Sequence, residues 1–188
     1  MGKQEHIDID LFKVVTRAIT HSDSLDAMTA YLSQLLVASL GIKGCSVFAV
    51  NPETEELEIL GSFGLSVRYL NKGPVLSKRS IARTIKGEPV VVSDIDQVKT
   101  LQYPEEAKKE GIRAIVSLPI KLYDKVIGAL RLYHNDIWKL SSRDLDSLLV
   151  LTEVIGMAMV YMRLYHALLV VKKAAGDVHM IWMGSGPE

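Results

Sequence analysis

The stretch RAIVSLPIKLYDKVIGALRLYH occupies residues 113–134 and has the pattern of a β-hairpin. Residues 113–121 and 125–134 are two apolar runs, and Leu122, Tyr123 and Asp124 separate them. Apolar runs joined by such a short turn are typical of neighbouring antiparallel strands. The stretch therefore predicts a hairpin that closes an antiparallel sheet.

Earlier segments supply the other strands of this sheet. Residues 45–50 are apolar and rich in strand-forming residues. In the next segment two sets of residues alternate: Leu57, Ile59, Gly61 and Phe63 with Glu56, Glu58, Leu60 and Ser62. Between them, residues 51–54 read NPET, a composition typical of a turn. The pattern predicts a first hairpin, and Val90-Val91-Val92 predicts a further short strand.

Two amphipathic helices are predicted before the first strand. Apolar residues recur at helical spacing over residues 8–19 and again over residues 25–39. The residues His21-Ser22-Asp23-Ser24 offer N-caps for the second helix, and Gly41 is placed to end it.

The middle of the chain predicts loops and short helices. Residues 64–77 contain three turn-forming residues, Gly64, Gly73 and Pro74, and show little periodicity, so a loop is expected there. A short helix is expected at residues 78–86 and another at residues 104–110.

The last predicted element is a long helix from Ser141 or Ser142 to Lys172 or Lys173. Most of its perimeter is apolar, because only Glu153 and Arg163 are charged between Asp146 and Lys172. The expected length is about 45 Å, longer than a domain of this size is wide. The helix could pack centrally within one domain, but its length favours a homodimer interface. The residues expected in that interface are Leu148, Ile155, Met159, Met162 and Leu169.

Composition places the chain among folded globular proteins. It has 188 residues, of which 48% are hydrophobic and 23% charged. We expect a single domain over residues 1–173, including the flanking helices, and a C-terminal tail over residues 174–188.

Lys+Arg and Asp+Glu both number 22, so no excess of cations favours nucleic acid or an anionic membrane. The single cysteine and the apolar-poor start of the sequence predict a reducing, cytoplasmic location without a membrane partner.

The order of these elements resembles a GAF domain, a small-molecule sensor fold related to PAS. The likeness covers residues 10–170 approximately and rests on short segments in the right order and spacing. These segments are SLDAM at 24–28, LGIKGCSVF at 40–48, GSFGL at 61–65, SIARTIKGEPVVVSD at 80–94, GIRAIVSLPI at 111–120, VIGAL at 126–130 and LSSRDL at 140–145. The resemblance implies an α+β fold with a central antiparallel sheet. The N-terminal helices and the long C-terminal helix would cover one face, and loops with short helices would cover the other.

The resemblance also implies where a ligand would bind, namely between the sheet and a cover formed by residues 65–110. Polar candidates from the cover are Arg68, Tyr69, Arg79, Arg83, Asp94 and Tyr103. Candidates from the sheet are Arg113, Ser117 and Tyr133.

No pattern in the sequence predicts catalysis, a metal or a cofactor. The histidines lack the helical pairing that places two imidazoles on one metal: they are His6, His21, His134, His166 and His179. Cys45 lies in an apolar strand without a neighbouring base, where a thiol usually packs as a small hydrophobe. One cysteine is too few for the disulfide relay of the methionine sulfoxide reductases that share this fold. Asn71-Lys72 matches only half of the cyclic-nucleotide pattern of other members, and a turn is the simpler interpretation.

These observations predict a non-catalytic, cytoplasmic regulatory domain that binds a small molecule and signals through a helical dimer to a partner protein in trans. One alternative is a ligand-free dimerisation or protein-interaction module of the same fold, and a cryptic enzyme is a further one. A closed apolar interior would favour the first alternative. A polar cavity with a convergent acid and base would favour the second.

Overall fold

The computed structural model describes residues 7, 9–51, 53–54, 56–73, 82–98 and 101–183. The helices are α1 (Ile9–Thr20), α2 (Leu25–Leu40), α3 (Val67–Leu70), α4 (Ala82–Ile85), α5 (Pro104–Lys109) and α6 (Ser142–Met183). The strands are β1 (Gly44–Val50), β2 (Leu57–Phe63), β3 (Val90–Val92), β4 (Ala114–Leu122) and β5 (Lys125–His134). A short 3₁₀ turn, Ile95–Gln97, follows β3.

The strands form one antiparallel sheet in the order β2-β1-β5-β4-β3. Both predicted hairpins are confirmed, as β1–β2 and β4–β5. The β1–β5 pair lies at the centre of the sheet and joins the two hairpins.

Local sequence sets the bounds of the helices that precede and follow the sheet. The Ser24 hydroxyl accepts a hydrogen bond from the backbone N–H of Ala27, and Gly41 ends α2 with a φ of 64°. Helix α6 begins in the same way, because the Ser141 hydroxyl accepts from the N–H of Asp144. The N-caps and the glycine C-cap predicted from the sequence are therefore confirmed.

Helices α1, α2 and α6 cover one face of the sheet and bury the main core. Two glycines allow close contact there. A Cβ at Gly61 would lie 2.5 Å from the backbone of Thr29 in α2, and one at Gly156 would lie 2.7 Å from the carbonyl oxygen of Lys121 in β4. Any larger residue at these positions would push a helix away from the sheet.

The opposite face carries the cover, formed by α3, α4, the 3₁₀ turn and α5. The loop predicted over residues 64–77 instead contains α3, which Ser66 caps by accepting from the N–H of Tyr69. This helix was missed because one turn is too short to show periodicity. The α+β architecture predicted from the resemblance is confirmed, with the long helices on one face and the short ones on the other.

The β4–β5 turn is made by Tyr123 and Asp124, which have φ angles of 47° and 61°. Two residues with positive φ between paired strands form a type I′ turn, for which Asn-Gly is the favoured pair. We expect the double substitution Tyr123→Asn and Asp124→Gly to raise the free energy of unfolding by about 1 kcal/mol, because it removes left-handed strain. Urea denaturation measures the change. A less stable variant would contradict the turn assignment.

Helix α6 is longer than predicted, because it continues past Lys173 to Met183. Its first part lies on the sheet, whereas every residue from Arg163 to Ala175 is exposed. By length and composition, Ser142–Ala175 is the one helix of the described chain that could cross a membrane. That finding is weak, since the core helix of a soluble protein meets the same test.

The face of α6 that contacts the sheet is the one for which the sequence predicted a dimer contact. Leu148, Ile155, Met159 and Met162 are at most 7% exposed and belong to the core of this chain. Of the five predicted interface residues, only Leu169 is exposed. The sheet already covers the other four positions, so in this chain they are not available for the predicted contact.

A second apolar face of α6 is exposed except at Val154, which is half-buried, and we call this face the exposed seam. Its members recur at alternating spacings of four and three residues: Val150, Val154, Met157, Tyr161, Leu164, Leu168, Val171 and Ala175. Met157, Leu164 and Val171 are 57%, 65% and 64% exposed. At 100° per residue the seam lies about 140° around the helix from the core-facing residues.

Candidate functional site

A row of polar side chains crosses the face of the sheet beneath the cover. Strand pairing places Ser62 beside Ser46, Ser46 beside Arg131, and Arg131 beside Ser117. The row separates two apolar clusters. Phe48 and Ala129 lie on one side of it, and Ile115 and Tyr133 lie on the other. The interior under the cover is therefore divided by polar groups rather than filled by one hydrophobic core.

Hydrogen bonds join the hydroxyl groups at both ends of this row. The Ser46 and Ser62 oxygens lie 3.0 Å apart. At the other end, the Thr84 hydroxyl of α4 donates to the Ser117 hydroxyl over 3.1 Å, and both residues are buried. The sequence-predicted site residue Ser117 is thus held between the sheet and the cover.

Arg131 occupies the centre of the row and is only 4% exposed. Its Nε is buried without a hydrogen-bond partner in the described chain. None of the ion pairs between described residues involves it. A buried guanidinium normally has a carboxylate or several acceptors around it, so the described residues compensate this charge unusually poorly.

Aromatic rings and a lysine lie next to Arg131. The ring of Tyr69 meets that of Tyr133 edge to face at 5.8 Å, and Arg131 Cζ lies 5.5 Å from the centre of the Tyr133 ring. Lys72 Nζ lies 3.8 Å from the centre of the Tyr69 ring and 5.9 Å from that of Tyr103. The structure therefore brings the predicted residues Tyr69, Tyr103, Ser117 and Tyr133 to one region around two cations.

Burial changes the acid–base properties of these groups. Burial and, to a smaller extent, the nearby charge of Arg131 together lower the pKa of Lys72 to about 8. Burial also raises the pKa values of the Tyr69 and Tyr133 phenols. Both phenols are consequently protonated at neutral pH and can donate hydrogen bonds.

Two spaces adjoin this region. A cavity of about 10 Å³, roughly the size of one water molecule, lies among Tyr69, Lys72, Tyr103 and Arg131. A larger open groove of about 550 Å³ shares Tyr69 and Lys72 with it and extends along α3 and α5 past Arg68. The groove and the small cavity meet at Tyr69 and Lys72, and Arg131 of the polar row lines the small cavity.

Several predicted site residues lie elsewhere. Arg113 donates from Nε to Asp94 over 2.8 Å, and this bond holds the pKa of the Asp94 carboxyl below its ordinary value. This ion pair ties the cover to the sheet and borders a different open cavity of about 350 Å³. Arg83 is exposed and paired with Glu88. Arg79 lies outside the described residues.

Sequence reasoning missed Arg131 and Lys72. The hairpin pattern led us to treat residues 125–134 as an apolar strand, and Arg131 is the one charged residue between Val126 and Tyr133. A lone charge inside a fully buried strand is rare unless it is paired or functional, so the signal was present. Lys72 was assigned to a turn.

Cys45 lies in the core on the helical side of the sheet and is fully buried. Burial raises the pKa of its thiol to about 12, although a hydrogen bond with Ser33 acts in the opposite direction. We expect no reaction of the native protein with a thiol reagent such as Ellman's reagent, and full reaction after denaturation.

A matched variant extends this thiol experiment. Cys45→Ala should fold and retain ligand binding, with a loss of only about 1 kcal/mol of stability. Rapid labelling of the native thiol, or loss of a measured turnover in folded Cys45→Ala, would contradict the structural role of this residue.

In the part of the chain that the structure describes, no three His, Cys, Asp or Glu side chains are grouped as metal ligands. The groups that do converge are two cations, three phenols and several hydroxyls. This arrangement can donate hydrogen bonds and compensate negative charge.

Comparison with known proteins places this architecture in a family. The family model described as GAF domain matches residues 22–160. No curated protein gives a significant sequence match.

Solved structures of similar fold come from diverse proteins. The GAF domain of a phosphoenolpyruvate-protein phosphotransferase from Coxiella burnetii is 14% identical, with a TM-score of 0.73, over 85% of this chain and 96% of that one. Free methionine-R-sulfoxide reductase from Neisseria meningitidis, solved with its substrate, is 16% identical with a TM-score of 0.69, over 88% of this chain and 98% of that one. The phycocyanobilin-bound GAF domain of a cyanobacterial phytochrome is 14% identical with a TM-score of 0.66, over 86% of this chain and 99% of that one. Identities this low establish a shared fold, and together with the family match they lead to one conclusion: this chain belongs to the GAF domain family, a family of sensor and regulatory domains.

Proposed function

We propose that this chain is a non-catalytic, cytoplasmic regulatory domain that binds a small molecule between the sheet and the cover. It signals through a homodimer formed by α6, and a partner protein in trans receives the signal. The observation that carries the proposal is the buried polar row centred on Arg131.

The polar row supports ligand binding because it costs stability in the unliganded protein. A sheet face under a cover would be most stable if apolar side chains filled it throughout, as they do on the helical side. Instead Ser46, Arg131 and Ser117 interrupt the apolar clusters. Polar groups that converge under a cover are characteristic of a binding pocket.

The exposed seam of α6 supports dimerisation. Consecutive residues of the seam are spaced alternately by four and three positions, which gives an average repeat of 3.5 residues. This is the repeat at which two helices of a coiled coil wind around each other. A second copy of the chain presents the same seam. Two parallel α6 helices related by a two-fold axis would therefore bury both seams. Because the other side of α6 lies on the sheet, movement of the sheet or cover is transmitted directly to this interface.

The same helix is not expected to enter a membrane. Its residues Leu148–Met162 include the part that packs on the sheet, and that part is unavailable to lipid. From Arg163 to the first lysine at Lys172 the exposed helix is about 14 Å long, less than half the thickness of the hydrocarbon core.

The alternative is a ligand-free dimerisation module, and the small size of the cavity at Arg131 favours it. About 10 Å³ admits one water molecule, so a ligand enters only if Lys72 and Tyr103 move towards the groove. The two functions differ in whether any small molecule binds beneath the cover.

Saturation-transfer NMR with a library of common metabolites, followed by hydrogen exchange with each hit, distinguishes these functions. We expect at least one hit, with protection of the amides of residues 65–73 and 101–110. Protection of Asn51 and residues 53–54 instead would place the site elsewhere. A dimer that binds no member of the library would establish the ligand-free alternative.

A further inference from the structure

We propose that the ligand of this domain is a small organic molecule carrying a compact oxyanion, either a carboxylate or a phosphate, that pairs with Arg131 and Lys72 beneath the cover. This inference rests on the proposed function and adds the chemical class of the ligand.

The burial of Arg131 without a partner among the described residues favours an oxyanion ligand. A guanidinium that is 4% exposed has lost most of its hydration, yet its Nε has no partner in the described chain and no described carboxylate lies in ion-pair contact. The Nε edge of arginine presents two parallel N–H donors that match the two oxygens of a carboxylate or phosphate. An oxyanion would supply both the missing charge and the missing acceptor.

Lys72 provides a second cation close to Arg131. Its Nζ lies over the Tyr69 ring and donates to the Tyr69 carbonyl oxygen over 3.0 Å, which leaves donors free for a ligand. Lys72 and Arg131 are close enough that each charge disfavours the other, as the lowered pKa of Lys72 reflects. An anion between the two cations would remove this repulsion.

The groups around Lys72 and Arg131 also fit an anion that has an apolar organic part. The charged neighbours of Lys72 are Arg131 on β5 and Glu106 and Glu110 on α5, and burial and Arg131 outweigh the two glutamates in setting its pKa. Glu110 is already bonded to the backbone N–H of Ser66. The rings of Tyr69 and Tyr133 offer apolar walls for the rest of the molecule.

The experiment compares oxyanion probes with a neutral probe of similar shape. Benzoate, phenyl phosphate and benzyl alcohol are titrated by calorimetry into the wild-type chain and into Arg131→Met, at constant ionic strength. The matched control is Arg17→Met, which removes an exposed arginine from α1 on the opposite layer. The affinities for benzoate and phenyl phosphate, compared with each other, show whether the site prefers a carboxylate or a phosphate.

We expect at least one of the two oxyanions to bind the wild type and Arg17→Met equally, and to bind Arg131→Met at least about tenfold more weakly. Without ligand, Arg131→Met should unfold about 5 °C higher than the wild type, because the uncompensated buried charge is gone. The higher melting temperature also shows that the variant is folded.

The pH dependence provides a further readout. Above about pH 8, Lys72 is mostly neutral in the free protein and must take up a proton when the oxyanion binds. The affinity for the oxyanion should therefore fall as the pH rises beyond that value. Lys72→Met should remove this dependence.

Two outcomes would overturn the inference. One is that neither oxyanion binds the wild type more strongly than benzyl alcohol does. The other is that Arg131→Met binds them as well as the wild type does. If a neutral molecule still protects residues 65–73 and 101–110 from exchange, the proposed function stands and only the ligand class is wrong. If nothing protects them, the proposed function itself fails.

Discussion

Replacing Met159 by glutamate is expected to unfold the protein. Met159 is 1% exposed and lies in the core between α6 and the sheet. A carboxylate there is buried without a partner, at a cost of about 3–5 kcal/mol, and the loss of the packed side chain adds to this cost. Since domains of this size are stable by about 5–15 kcal/mol, most of the stability would be lost.

Circular dichroism and thermal unfolding measure the effect, and Met157→Glu is the matched control. Met157 lies two residues away on the same helix and is 57% exposed, so this variant should fold. A folded Met159→Glu beside an unfolded Met157→Glu would mean that the opposite face of α6 contacts the sheet.

The double substitution Leu164→Glu and Leu168→Glu is expected to dissociate the proposed dimer into folded monomers. Both residues lie in the exposed seam beyond the sheet, where they are 65% and 63% exposed in the single chain. In a two-fold pair each would face its own copy, so the glutamates would place like charges in a desolvated core. We expect a loss of at least about 4 kcal/mol, a thousandfold in Kd.

Light scattering at about 10–50 µM detects the change, because weak dimers persist in this range. The control pair is His166→Glu and Val170→Glu, which are exposed on the side of α6 away from the seam. This pair should leave the dimer intact. If the wild-type chain is monomeric at these concentrations, or if the control pair also dissociates it, the seam is not the interface.

The sequence could predict most of the sheet and helices because their signals are local. The turn at Tyr123 and Asp124, the cap at Ser24 and the stop at Gly41 each depend on neighbouring residues only, and each was found. Helix α3 was not predicted, because its single turn depends on Ser66 and on Glu110 from a distant part of the chain.

The orientation of α6 could not be predicted from apolar periodicity, because the helix carries two apolar faces of similar width. The choice between them depends on which face meets the sheet. Gly156 does indicate which face meets the sheet, because a glycine inside a helix is unfavourable unless a close contact requires it. The carbonyl oxygen of Lys121 makes that contact on the core-facing side.

The candidate site was predicted in part. Tyr69, Tyr103, Ser117 and Tyr133 converge beneath the cover, whereas Asp94 and Arg113 pair with each other. Sequence spacing cannot show which polar residues satisfy one another, since such pairs are made across the fold. The sequence shows that Arg131 is a lone charge in an apolar strand, but only the structure shows that its Nε has no hydrogen-bond partner among the described residues.

We propose that this GAF domain is a dimeric receptor for a small anionic molecule, and native mass spectrometry of gently purified protein examines both properties at once. The chain has a mass of 20.8 kDa, and the measurement reports the number of subunits and any retained ligand together. We expect a mass of two chains plus one small molecule per chain, with the added mass absent from Arg131→Met. A single chain without added mass would contradict both the interface and the site.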